Sequence, residues 1–297
     1  MPALDVAILT DRRLLNPPLD EPYGCQVLLE EAWLLHHLKR LGLSAARVAW
    51  DDPQHDWSNT GTALFRSTWD YFERYDEFSP WLENVARILP LQNRYDLLSW
   101  NLDKRYLRDL AEQGVAIVPT LYLERGSTAD LAMLAARLGC HELVIKPVVS
   151  GSARLTFRGT PALLQAQLDS CLVSEAMMVQ PFMPTVLEQG ELSLMVIDGR
   201  FSHAIRKTPA PGDFRVQDDH GGIVHPYFPS PAEIEFAERA VAACPVLPLY
   251  ARVDLVEDGD RLRIMELELV EPELFFRFRP QAAEALAQGL AKRLGRG

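Results

Sequence analysis

Residues 251–271, ARVDLVEDGDRLRIMELELVE, constrain this chain more than any other stretch. Read at a two-residue period, they form two strands joined by a turn near Gly259. Ala251, Val253 and Leu255 alternate with Arg252 and Asp254, and Met265, Leu267 and Leu269 alternate with Glu266 and Glu268. One face would pack on a core, while the other gathers an arginine and three carboxylates. Register decides whether the carboxylates meet. A two-residue Asp258-Gly259 loop places Asp254 and Glu266 on opposite faces. An odd loop of about three or five residues near Asp260 pairs Asp254 with Glu266 and Arg252 with Glu268, and it alone keeps every apolar residue on one face. An odd loop is therefore expected. Three crowded carboxylates repel unless a cation lies between them. Magnesium binds through carboxylates and substrate phosphates. The solvated outer face of an ordinary hairpin is the alternative that the ribbon by itself leaves open.

The chain has 297 residues, 48% of them hydrophobic, which is enough for two or three subdomains. A net charge of −11 argues against nucleic acid as an obligate partner and against a polybasic membrane contact. Cys25, Cys140, Cys171 and Cys244 are scattered without a C-x-x-C pair, so buried free thiols are expected. The N-terminus begins a strand instead of a signal peptide, and no long apolar run suggests a membrane span. A reducing cytoplasm is the expected compartment.

Strand–helix–strand–strand order over the first third (4–10, 25–41, 44–50, 62–66) predicts a small α/β unit. Ligands of open α/β sheets bind beyond the carboxyl ends of strands. Arg66, Ser67 and Asp70 are therefore candidate substrate contacts, unless this loop simply covers the core with Trp69 and Tyr71. Ser79-Pro80 predicts a helix over 79–89. A further helix carries Asp103-Lys104. Strand 142–149 is apolar except for Lys146, which must be paired if buried or else reach solvent from an edge. Ser150, Gly151 and Ser152 form a small loop whose backbone amides could close over phosphate, although no P-loop or G-x-G-x-x-G pattern exists. Strand 176–182 contains Gln180, Pro181 and Phe182. Residues 191–208 form a hairpin around Asp198-Gly199. The Pro/Gly-rich segment 209–222, with Arg215, is expected to be a mobile loop near ligand. His203 and His220 flank it and are expected to be structural or surface residues.

The order of these parts resembles the ATP-grasp superfamily and, within it, the glutathione synthetase-like ligases. The carriers are Asp103-Lys104, VIKP around Lys146, the Ser/Gly loop, VQPF (Val179–Phe182), GELS before the Asp198-Gly199 hairpin, RVDL (252–255) and MELE (265–268). The wording FRSTWDYFER…NRYDLLSWNLDKRYL is similar to the branch that includes D-cycloserine synthetase. The resemblance implies an α/β (α+β) ATP-grasp fold with an N-terminal substrate domain (1–92), a central lid subdomain (93–182) and a C-terminal subdomain with the metal site (183–297). It implies that Lys104 and Lys146 hold ATP phosphates, that Gln180 and Phe182 read adenine through their backbones, and that Glu191 binds ribose. Asp254, Glu266 and Glu268 would hold two Mg²⁺ ions, with Mn²⁺ as a substitute. Arg206 and Arg252 would face the transferred phosphoryl group. The family more often has asparagine where this chain has Glu268, and glutathione synthetase has arginine in place of Ser193.

The chemistry suits the residues. ATP converts an unreactive carboxylate to an acyl phosphate, and the protein need only align two anions and neutralise charge. The expected function is an ADP-forming carboxylate–amine ligase acting on a small amino-acid-like molecule, with bond formation inside one molecule as one form. A ligase for peptide or protein termini and a non-catalytic nucleotide-binding protein are the alternatives. The full set of two lysines and three carboxylates argues against the last. A homodimer or homotetramer is expected from the resemblance.

Overall fold

The structure, a computed structural model, describes residues 2–216 and 221–296. His220 and part of the 209–222 segment lie outside the described residues.

Three sheets carry the chain. Strands β1 (Leu4–Thr10), β2 (Ala45–Ala49), β3 (Thr60–Ser67) and β4 (Leu91–Gln92) form a parallel sheet in the order β2-β1-β3-β4. Parallel neighbours need crossover connections, supplied here by helices Pro22–Arg40 and Tyr75–Ile88. Val6, Ile8 and Leu64 pack with Leu34 and Leu38 of the first helix. The second helix starts one turn earlier than Ser79-Pro80 predicts. Arg74, at its N-cap, bonds Asp51, Asp70 and Glu77, which secures a first turn ahead of Pro80.

The second sheet comprises β5 (Leu121–Leu123), β6 (Leu143–Pro147), β7 (Phe157–Gly159) and β8 (Met177–Pro181), in the order β5-β8-β6-β7. β6 is therefore an inner strand, and Lys146 is no edge lysine. The third comprises β9 (Glu191–Ile197), β10 (Arg200–Thr208), β11 (Ile223–Tyr227), β12 (Tyr250–Asp258) and β13 (Arg261–Glu268), in the order β11-β10-β9-β12-β13. Helices Tyr95–Asn101 and Tyr106–Glu112 share the apolar core of this sheet. Asp103 and Lys104 sit in the break between these helices, not within one, and Lys104 N–H donates to the Val148 carbonyl at 2.8 Å. The C-terminal helix Gln281–Arg293 joins the core under helix Pro22–Arg40.

The ribbon β12–β13 corrects one expectation and keeps its consequence. Its turn is even: Asp258 pairs with Arg261, leaving Gly259 and Asp260 as a two-residue loop. Gly259 supplies a φ of +61° there. Yet Asp254 does pair with Glu266 and Arg252 with Glu268. The ladder slips between Leu255↔Ile264 and Asp254↔Glu266, so Met265 is an extra residue in a β-bulge. The bulge, not an odd loop, brings the carboxylates together, and Met265 leaves the apolar face to line the cleft beside them.

Candidate active site

A cleft runs between the second and third sheets, closed at one side by Tyr23, Trp69 and Phe72 of the N-terminal unit. Among the described residues no helix is long and apolar enough to cross a membrane.

At its centre lies Glu266. Lys146 Nζ donates to one of its oxygens at 2.6 Å and Lys104 Nζ to the other at 3.3 Å. Burial alone would raise this carboxyl, but the two ammonium charges outweigh it and hold it well below the usual carboxylate range. One strand away, Arg252 bridges Asp254, at 2.9 Å, and Glu268. Asp254 also accepts from Ser193 and lies 3.5 Å from Lys207 Nζ. Lys207 in turn pairs with Glu191. Carboxylates and cations thus alternate through the cleft. Among the described residues no three carboxylates, histidines or cysteines converge as a ready-made metal site.

Two acids are held protonated more than usual. Burial, together with the neighbouring Asp254 and Glu266, pushes Glu268 up to about 7 against the pull of Arg252. Burial and the charge of Glu268 push Glu271 up to about 8.

The Ser150–Ser152 loop lines the opposite wall. Ser152, Ala153 and Leu155 take positive φ values of 46°, 53° and 48°. Gly151 is packed so closely that a Cβ there would come within 2.5 Å of the Phe72 ring. Any larger residue there would force the Phe72 ring to shift. Pro181, Phe182 and Arg215 also line the cleft, with Arg215 paired to Asp213 at 2.7 Å.

Comparison with known proteins fits this geometry. Residues 6–93 match the family model described as D-cycloserine synthetase DcsG, N-terminal domain. Over 308 aligned residues the chain is 34% identical to the cycloserine biosynthesis protein DcsG of Streptomyces lavendulae, spanning 97% of this chain and 98% of that one. This chain belongs to the D-cycloserine synthetase family of ATP-grasp ligases. A crystal structure of D-cycloserine synthetase DcsG superposes with a TM-score of 0.85 at 31% identity, covering 97% of this chain and 99% of that one. D-alanine–D-alanine ligase from Bacillus anthracis complexed with ATP shares the fold, with a TM-score of 0.67 at 16% identity over 99% of this chain and 100% of that one.

Within this D-cycloserine synthetase-family fold, several residues singled out from sequence take other positions. Arg66, Ser67 and Asp70 do not line the cleft. Arg66 is buried against the Tyr250 and Phe276 rings and donates to the Pro272 carbonyl at 3.0 Å. The Ser67 hydroxyl bonds Glu31 and Thr10, and Asp70 accepts from Trp50 at 2.7 Å and Arg74 at 2.9 Å. Arg206 lies over the Tyr227 ring, 4.6 Å from its centroid, outside the lining. The Gln180 side chain, not the backbone expected to read adenine, bonds Thr120 at 2.9 Å, while Phe182 does line the cleft and its amide donates to the Glu142 carbonyl at 3.0 Å. His203 is buried, bonded to the Leu274 carbonyl at 2.9 Å, and lowered to about 4 by burial. The sequence reading missed Lys207, Glu271 and the Tyr23–Trp69 pair, all of which line the cleft. A signal for Lys207 existed, since Glu191 and Lys207 flank the Asp198-Gly199 turn almost symmetrically.

Proposed function

We propose that the chain is an ATP- and magnesium-dependent ligase that phosphorylates the carboxylate of a small amino-acid-like substrate and closes a C–N bond onto it from a nitrogen of the same molecule. The observation that carries this reading is the alternation of Lys104, Lys146, Lys207 and Arg252 with Asp254, Glu266 and Glu268 in one cleft.

The donor set fits magnesium on chemical grounds: three carboxylates supply hard oxygen ligands, and phosphate oxygens complete the shell. Asp254, Glu266 and Glu268 would hold such an ion, and its charge would lower the repulsion between the transferred phosphoryl group and the incoming carboxylate. Lys104 and Lys146 now rest on Glu266 and turn to phosphate oxygens when a nucleotide enters, freeing Glu266 to act as a ligand. Lys207 and Arg252, set against Asp254, stabilise charge that develops on the transferred group. The Ser150–Ser152 loop supplies backbone donors and excludes water. The aromatic wall from the N-terminal unit favours a small substrate in a closed pocket over an extended peptide.

Purified protein supplied with ATP, Mg²⁺ and a pool of amino acids and dipeptides should release ADP and phosphate. Formation of AMP and pyrophosphate would overturn the acyl-phosphate route. Mass spectrometry separates the bond types: ring closure gives a product one water lighter than the substrate, whereas joining two molecules gives a heavier one.

A further inference from the structure

The acids lining the cleft are answered by bases, with one exception. Glu266 has Lys104 and Lys146, Asp254 and Glu268 have Arg252, Glu191 has Lys207, and Glu273 has Arg277. Glu271 is only 9% exposed and lines the cleft, yet among the described residues it makes no ion pair. Ionising it there without a directly paired cation is costly, and burial with the charge of Glu268 outweighs the pull of Lys104 and Arg252, so a ligand that brings its own cation is what would let this carboxyl ionise.

The segment bearing it is held from two sides. Trp69 Nε1 donates to the Glu271 carbonyl at 2.9 Å, and Arg66 to the Pro272 carbonyl at 3.0 Å. Arg252 reaches the Glu273 carbonyl at 3.5 Å. The carboxylate is therefore on a backbone fixed in advance by both the N-terminal unit and β12, as a recognition group requires. Tyr23 and Trp69 line the same cleft, stacked at 5.6 Å and 28°, and aromatic faces attract organic cations.

We infer that Glu271 receives the α-ammonium group of the substrate, so that the site takes amino acids with a free α-amine and rejects N-acylated ones. This rests on the proposed ligase reading and names its substrate class. It also separates the site from one for peptide C-termini, whose last residue has its nitrogen in an amide.

The test uses D-cycloserine, which keeps a free amine, and its N-acetyl derivative, titrated calorimetrically into the protein with ADP and Mg²⁺ present. Wild type should bind D-cycloserine at least about 30-fold more tightly, the loss expected when one partner of a buried charge pair is removed. Glu271→Gln should erase that preference and Glu271→Asp should keep its sign, with circular dichroism reporting that each variant is folded. A folded Glu271→Gln protein that retains the wild-type preference overturns the inference. So does a loss of turnover with the preference intact, which would make Glu271 a proton acceptor instead. If wild type binds neither compound, the ligase reading fails first and the inference with it, an outcome visible before any substitution is made.

Discussion

Glu266→Gln separates the two roles assigned to one carboxylate. In the free protein Glu266 neutralises Lys104 and Lys146, at 3.3 and 2.6 Å, and both lysines are more than nine-tenths buried. Glutamine keeps the shape but leaves two buried ammonium groups with one carbonyl oxygen between them. Breaking a buried pair costs about 3–5 kcal/mol. The Glu266 side chain is 23% exposed to the cleft, which places the cost at the low end, about 3 kcal/mol. For a chain of this size that corresponds to a melting temperature lower by roughly 6–12 °C, measurable by scanning calorimetry. ADP without magnesium offers the lysines a new partner, so it should stabilise the variant more than wild type. Turnover should fall at least about 100-fold, as when a group stabilising transition-state charge is removed. The sign of the pH dependence follows from the depressed carboxyl of Glu266. The stability gap is full above the unfolded value of about 4.3 and closes as pH falls through the folded one. Equal melting temperatures, or equal responses to ADP, would show that Glu266 does not hold the lysines in solution.

Other perturbations test neighbouring parts of the site. Lys207→Met strands buried Glu191 and leaves buried Asp254 with Arg252 as its cation, and should cost about 3 kcal/mol in denaturant unfolding along with activity. Gly151→Ala drives a methyl into the Phe72 ring; nucleotide affinity should fall, and Phe72→Leu in the same chain should restore part of it, whereas simple additivity of the two losses would refute the contact. Glu268 is raised to about 7, so the free protein holds a proton there that the unfolded chain gives up near 4.3, and this group makes stability decline as pH rises between those values. Magnesium must displace that proton, so affinity for Mg·ADP should climb up to about 10-fold per pH unit below 7, and Glu268→Gln should flatten the slope in calorimetric titrations. Arg206→Ala, outside the cleft lining, should reduce turnover far less than Arg252→Ala, compared by ADP release.

Much of this arrangement was legible. The alternation in β12 and β13 exposes which side chains share a face, because strand periodicity is fixed by covalent geometry. Lys146 stood out as a charge in an apolar strand, and its partner is the ribbon carboxylate Glu266. The end of β3 was less readable. The strand-end rule points at Arg66, Ser67 and Asp70, but side chains at a strand end can serve either ligand or neighbouring backbone. Here Ser67 meets Glu31, Asp70 meets Trp50, and Arg66 fastens the carbonyl of Pro272. Those partners lie from 20 to more than 200 residues away in sequence, so no local pattern announces them.

The remaining differences have one physical source. A strand's facing is binary, and a single extra residue inverts everything beyond it. In the ribbon an unbulged ladder from the Gly259-Asp260 turn would set Asp254 opposite Met265 and turn Glu266 away; the extra residue at Met265 restores Glu266. In the preceding hairpin the same thing happens. Counting outward from the Asp198-Gly199 turn, an unbulged ladder would set Arg206 opposite Glu191. The ladder slips between Phe201 and His203, so Lys207 takes that place and Arg206 faces Tyr227. Both bulges sit on strands of one sheet, and both decide which charge enters the cleft. Apolar periodicity cannot reveal them, since each costs only one residue in a pattern that tolerates exceptions. What could have flagged them is charge pairing: a buried Glu191 demands a cation across the strand, and Lys104 and Lys146 demand a carboxylate. Requiring every buried charge to find its opposite selects the bulged register in both hairpins, and this constraint is independent of the hydrophobic pattern.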